Sequence, residues 1–262
     1  MKKIIGLLFT LILILTLAAC PGKKADMLTI GATPVPHAEL LNLIKDDLAA
    51  AGIKLKVIEF TDYTSPNTAV ISGELDANFS QHIPYLGSNP DWLDKLTPAF
   101  GVHIEPLGLY SQKFKSIEEL PDGAAIAIPD DPSNGGRALF LLQTNGLITL
   151  KENAGFLATI QDITGNPKKF KFQEFEAAQL PQTLQDFDAA AINGNFAMEN
   201  GFTPAYDSLI IEDSNSPYMN IVVVQKGNEN NEKITALKKA LLSNKVRDYI
   251  NSSYHGGVIP VF

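Results

Sequence analysis

Ala124-Ala125-Ile126-Ala127-Ile128 runs into Pro129-Asp130-Asp131-Pro132-Ser133-Asn134-Gly135-Gly136-Arg137 and on into Ala138-Leu139-Phe140-Leu141-Leu142. The first run reads as a strand, the second as a tight loop, and the third as an apolar helix. Ser133 or Asn134 suits the helix N-cap, and Asn145-Gly146 its C-cap. A helix start leaves backbone N–H groups unpaired, with the positive end of the macrodipole behind them. Two glycines would let another molecule approach the backbone, and Arg137 lies within the first turn. Together these suit a small anion such as a carboxylate. The alternative is a loop whose arginine pairs with a surface acid.

Strands and helices alternate on both sides of this unit. Leu28-Thr29-Ile30-Gly31 is a strand, and a helix is expected from about His37 to Ala51, with Leu40, Leu41, Ile44 and Leu48 on one face. Lys54 to Phe60 and Leu75 to Phe79 read as strands, with a helix around Thr68 to Ser72 between them. Downstream, Phe170 to Glu174 and Ala189 to Ile192 are strands, Leu180 to Phe187 is a helix, and amphipathic helices close the chain from about Glu232 to Asn251. The alternation predicts an α/β fold with mostly parallel sheets. Extended segments near 103–111 and 218–225 predict two lobes joined by two strands: 28–109 with 222–262 as one lobe, 110–221 as the other. Ligands of such sheets bind at the carboxyl ends of strands.

Composition bounds the function. The 262 residues are 45% hydrophobic and 19% charged, and 21 basic against 29 acidic residues give a net charge of −8. That is globular and acidic, which argues against a nucleic-acid partner. Met1-Lys2-Lys3 is a basic start to an apolar run, Ile4 to Leu17. About 14 apolar residues fall short of the roughly 20 that span a bilayer, so 1–19 reads as an export leader. Leu17-Ala18-Ala19-Cys20 resembles a bacterial lipobox. Cys20, the only cysteine, is then a lipidation site that anchors the chain to a membrane through a tether over 20–27.

Metal and cofactor chemistry is poorly represented. His37, His82, His103 and His255 are scattered, with no second histidine at helical spacing. Gly135-Gly136 lacks the Gly-Lys-Ser/Thr of a phosphate loop, and there is no Gly-x-Ser-x-Gly elbow. What remains suits a zwitterion: Arg137 for a carboxylate, Asn193 and Asn220 for polar groups, and aromatic residues for an apolar tail. An exported enzyme on the same fold is the alternative, with His82 its one candidate base. A surface lipoprotein serving mainly as an adhesin is a third.

Thr61-Asp62-Tyr63 with Pro66-Asn67, Asp76-Ala77-Asn78 with Gln81-His82-Ile83-Pro84-Tyr85-Leu86, Asp131 to Arg137, Ala178-Gln179-Leu180-Pro181, Ile192 to Asn195, and Ser216-Pro217-Tyr218 with Asn220 span nearly the whole mature chain. In these runs the chain resembles the NLPA-type substrate-binding lipoproteins of methionine ABC uptake systems. The resemblance implies a two-lobed periplasmic-binding-protein fold (type II) that closes on L-methionine, a related amino acid or a methionyl dipeptide. It implies no turnover, no cofactor, and delivery to a membrane permease and ATPase from the periplasmic or extracellular side. It assigns the ligand carboxylate to Arg137, polar groups to Asn193, Asn220 and Asn134, and the side-chain enclosure to Tyr63, Tyr85 and His82. Ser80 stands where methionine binders carry an aromatic residue, with Phe79 one position earlier. Either Phe79 substitutes through a changed backbone, or the tail pocket is wider and more polar.

Overall fold

A computed structural model describes residues 26–214 and 216–262. The leader, Cys20 and most of the tether lie outside them.

Two mixed sheets build the molecule. The first contains β1 (Asp26–Ala32), β2 (Ile53–Glu59), β3 (Ala77–His82), β4 (Leu96–Ile104), β12 (Met219–Gln225) and β13 (Ile259–Pro260), in the order β13-β4-β12-β3-β1-β2. The second contains β5 (Gly108–Tyr110), β6 (Ala125–Pro129), β9 (Lys171–Phe175), β10 (Ala189–Ile192) and β11 (Ser208–Ile211), in the order β11-β5-β10-β6-β9. A small hairpin, β7 (Thr149–Leu150) with β8 (Ile163–Gly165), stands apart.

The sheets are less parallel than the alternation predicts. β1 pairs in parallel with β2 and β3, and β6 with β9 and β10. β12 runs antiparallel to both β3 and β4, and β5 antiparallel to β10 and β11. The cause is topological. A chain that leaves one sheet and later returns re-enters without a helical crossover, and so pairs antiparallel.

The chain passes between the two sheets after β4 and again after β11. Gly108 and Leu109 already pair in the second sheet, and Met219 to Ile221 already pair in the first. Residues 105–107 make the first passage, and the ladder resumes at Gly108 because backbone partners are in reach there.

β12 shows why it is central. Ile221, Val222, Val223 and Val224 are each no more than 1% exposed, the continuous apolar run of a strand covered on both faces. Leu28, Ile30, Leu40, Leu41 and Phe79 build one core around it with Leu237, Val246 and Ile250 of the closing helices Glu232–Leu241 and Asn244–Ser253. Leu107, Ile126, Ile128, Leu139 and Leu142 build another in the second unit. The expected helix from His37 is broken at Ile44 into Glu39–Leu43 and Lys45–Ala50, and the next one starts earlier, as Thr64–Ser72.

Candidate functional site

A narrow cavity, about 320 Å³ with the space at its mouth included, lies between the sheets. Tyr63, Ser80, His82, Tyr85, Asn134, Arg137, Asn193 and Asn220 all line it, together with His37, Gln81, Glu105, Gly194 and Asn195, which the sequence reading did not single out. Most of these residues follow the carboxyl ends of β2, β3, β6 and β10, where an α/β sheet places its ligands.

The start of the helix Pro132–Thr144 is capped from within the chain. Asp131, not Ser133 or Asn134, is the N-cap, and Pro132 opens the first turn, as proline at that position does. The Asp131 carboxylate accepts the Asn134 N–H at 2.8 Å and the Asn134 side-chain amide at 2.9 Å. The helix start is therefore occupied by the protein's own anion. The glycines serve internal packing. A Cβ on Gly135 would lie 2.8 Å from the Pro129 carbonyl oxygen, and one on Gly136 would lie 2.4 Å from that of Phe156.

Arg137 is paired with an acid, but a partly buried one beside the cavity. Nε and Nη2 donate to the two oxygens of Glu212 at 2.8 and 2.5 Å, and Nη2 also donates to the Glu105 carbonyl at 2.8 Å. The guanidinium lies over the Tyr218 ring, 4.2 Å from its centroid. These bonds leave Nη1 outside them. The guanidinium is thus held flat and fixed before any ligand contact.

His82 joins the two units. Its Nδ1 accepts the Tyr85 N–H at 3.1 Å, which puts the proton on Nε2, 3.0 Å from Asn134 Oδ1. Burial, helped by the nearby Arg137, pulls its pKa down to about 3, so the ring is neutral near pH 7. Asn134 Oδ1 also accepts Asn193 Nδ2 at 2.8 Å. Asn193 Oδ1 and Asn195 Nδ2 are buried and have no partner, which is costly unless something binds there. Tyr63 donates to Asn195 Oδ1 at 2.5 Å, and its ring meets Tyr85 and Phe196 at 5.6 and 5.1 Å.

Backbone pairing sets Ser80 and Phe79 on different faces. β12 pairs Ile221 with Gln81 and Val222 with Phe79, so Ser80 is the extra residue of a bulge. The bulge breaks the strand's alternation, and Ser80, Gln81 and His82 line the cavity in succession. Phe79 points into the core against His37 and His103 instead. Ser80 donates to Asn78 Oδ1 at 2.7 Å, within a buried amide network that includes Asn67 and Gln81. This wall of the cavity is polar.

Two of the scattered histidines converge. Among the described residues, His37, His103 and Glu105 form the one trio with ligand-type atoms within 4.8 Å of one another. His103 Nε2 lies 2.6 Å and His37 Nε2 3.1 Å from Glu105 Oε1, which are hydrogen-bond distances. His103 and Glu105 share a strand face through their two-residue spacing, a signal that a period-two reading of His103-Ile104-Glu105 could have found. Glu212 offered no such signal, 75 residues from its partner.

Two sheets, two crossings and an enclosed, amide-rich cavity between them define a substrate-binding protein of the periplasmic-binding-protein fold. The family model for the NlpA lipoprotein matches residues 28–262, and this chain belongs to that family. It is 39% identical to the methionine-binding lipoprotein MetQ of Bacillus subtilis, over 100% of this chain and 99% of that one. It is 38% identical to the membrane lipoprotein TpN32 of Treponema pallidum, over 92% and 90% of the two chains. The solved structure of a nutrient binding protein from Burkholderia cenocepacia bound to methionine is similar at a TM-score of 0.86 and 42% identity, covering 90% of this chain and 100% of that one.

Proposed function

We propose that this protein is a receptor, anchored through lipid on Cys20 to the outer side of a membrane, that captures L-methionine or a closely related amino acid or methionyl dipeptide. It delivers its ligand to an ABC importer's permease and ATPase and carries out no turnover. The two sheet units act as lobes that close on the ligand. Arg137 takes the carboxylate through the nitrogen its internal bonds leave over. Asn193 and Asn220 share the polar groups, and Tyr63, Tyr85 and His82 flank the side chain, where a thioether gains contact against aromatic edges.

The observation that carries this reading is the unpartnered buried amide oxygen Asn193 Oδ1 in the cavity that Arg137 lines. The methionine-binding relatives support the choice of side chain. Ser80 supports a polar far end, which leaves room in the proposal for a dipeptide. Binding is favoured over catalysis because both nitrogens of His82 are engaged and its pKa lies far below that of a working base. The test is a thermal-shift screen of amino acids and methionyl dipeptides on the mature domain, unfolded and refolded to strip carried ligand. Methionine or a methionyl dipeptide should give the largest shift. No shift with any of them would overturn the proposal.

A further inference from the structure

Glu212 stands outside the residues that line the cavity, directly after β11, where the chain leaves the second sheet. It ties the two crossings together. Its backbone N–H donates to the Leu107 carbonyl at 3.0 Å, and its Oε2 accepts the Leu107 N–H at 3.0 Å and the Ser216 hydroxyl at 3.4 Å. The same carboxylate takes the edge of Arg137, with Nε on Oε1 at 2.8 Å and Nη2 on Oε2 at 2.5 Å. Nη2 donates also to the carbonyl of Glu105, in the first crossing, at 2.8 Å. Arg137 belongs to a helix of the second unit, and these bonds fasten it to both crossings.

A guanidinium carries five N–H groups. Glu212 and the Glu105 carbonyl occupy Nε and Nη2, and the Tyr218 ring covers one face at 4.2 Å. Nη1 is the nitrogen left for the cavity. A two-pronged contact of this kind needs two acceptor oxygens in one plane. A carboxylate supplies both, whereas an amide at the same place supplies one and turns an NH2 group on a donor.

Two effects oppose each other when Glu212 is removed. Losing a negative charge makes the guanidinium more attractive to a ligand anion, while losing the edge contact leaves its direction unset. A second carboxylate decides between them. Glu105 also acts on Arg137 through its charge and is only 4% exposed. A released guanidinium turns to that buried acid on the cavity wall, and Nη1 turns with it.

We propose that Glu212 is a positioning residue, which aims Arg137 Nη1 at the ligand's carboxylate without touching the ligand, so that preference for a free carboxylate depends on it. This rests on the amino-acid reading above and on Arg137 as the carboxylate contact. The test is calorimetry of L-methionine and of L-methioninamide, which keeps the ammonium and the thioether but has no carboxylate, on the wild-type protein and on Glu212→Gln. Circular dichroism checks the variant's fold.

Wild type should favour methionine over the amide by at least about tenfold, and Glu212→Gln should lose about tenfold for methionine while holding the amide within about threefold, a coupling usual for members of one hydrogen-bond network. A role in stability alone weakens both ligands alike, so an unchanged methionine-to-amide ratio in the variant would overturn the proposal. A ratio that rises would overturn it as well, since Glu212 would then merely compete for the charge of Arg137. If wild type binds the two ligands equally, the carboxylate assignment to Arg137 fails and this proposal with it. If wild type binds no amino acid at all, the amino-acid reading itself fails. Should Glu212→Gln not fold, Glu212→Asp takes its place. One carbon shorter, it cannot meet Nε, Nη2 and the Leu107 N–H together, so its ratio must fall below that of wild type, and an equal ratio counts against the proposal.

Discussion

Arg137 has a structural task beside the one proposed for it at the ligand. Its side chain is 2% exposed and that of Glu212 12%, so removing the guanidinium strands a largely buried carboxylate. Arg137→Ala should lower ligand-free stability by about 3 kcal/mol, the low end for breaking a buried pair. Urea unfolding without ligand checks this, and an unchanged midpoint would refute it. Glu199 gives a pH-dependent counterpart. Burial raises its carboxyl to about 7, against the backbone N–H of Val35, which lowers it. The folded state then holds this proton more tightly than the unfolded chain does. The stabilising contribution is present below the unfolded value of about 4.5 and lost as pH rises through about 7. Glu199→Gln should therefore gain stability over wild type at pH 8 and come close to it at pH 4, as read by paired denaturation curves. At this scale the sequence was readable where a side chain has an unusual neighbourhood in the chain, as at Arg137 or His82. It was unreadable where the partner is remote, because Glu212 and Glu105 acquire their meaning from tertiary contacts alone.

The helix Pro132–Thr144 shows how one element couples stability to the cavity. Asp131 caps it and also aims Asn134, whose Oδ1 serves both His82 and Asn193. Asp131→Ala should cost about 1–2 kcal/mol for the lost cap and weaken ligand binding as well, because Asn134 loses its orientation. Thermal melting and calorimetry on one preparation separate the two effects. Gly136→Ala is a case where propensity and packing disagree. Alanine favours a helix by up to about 1 kcal/mol over glycine. The added Cβ would meet backbone of Phe156 and Ala158 at 2.4 and 3.0 Å, and such overpacking costs about 1–3 kcal/mol. Packing wins, so Gly136→Ala should melt lower than wild type. The strand and helix of this unit were legible from apolar runs and caps. The cap was displaced to Asp131 because Pro132 fills the first helical position. Ser80 was harder to place, since a bulge arises from pairing with β12 rather than from residues in β3 itself.

Across the whole molecule, the first crossing falls inside the extended segment read at 103–111, whereas the segment read at 218–225 is almost wholly strand β12, and the second crossing precedes it. Which strands they join, and the antiparallel entry of β12 between β3 and β4, depend on pairings that no local pattern carries. The contacts that cross from one unit to the other at the cavity include two hydrogen bonds and the Tyr63 ring against Phe196. Tyr63 reaches Asn195 at 2.5 Å, and His82 reaches Asn134 at 3.0 Å. If the two units close on a ligand, as proposed, the closed arrangement owes part of its stability to that ligand. Ligand addition should accordingly compact the protein in small-angle scattering and raise its melting temperature with the logarithm of ligand concentration. Tyr63→Phe isolates the protein's own share. It keeps the ring against Tyr85 and Phe196 and deletes only the hydroxyl that bridges the units. One hydrogen bond is worth about 0.5–1.5 kcal/mol net, so affinity should fall by roughly threefold to tenfold. The loss should appear in dissociation, because entry precedes closure and does not involve the bridge. Stopped-flow traces showing slower association with unchanged dissociation would mean that Tyr63 shapes the open cavity instead of holding it shut.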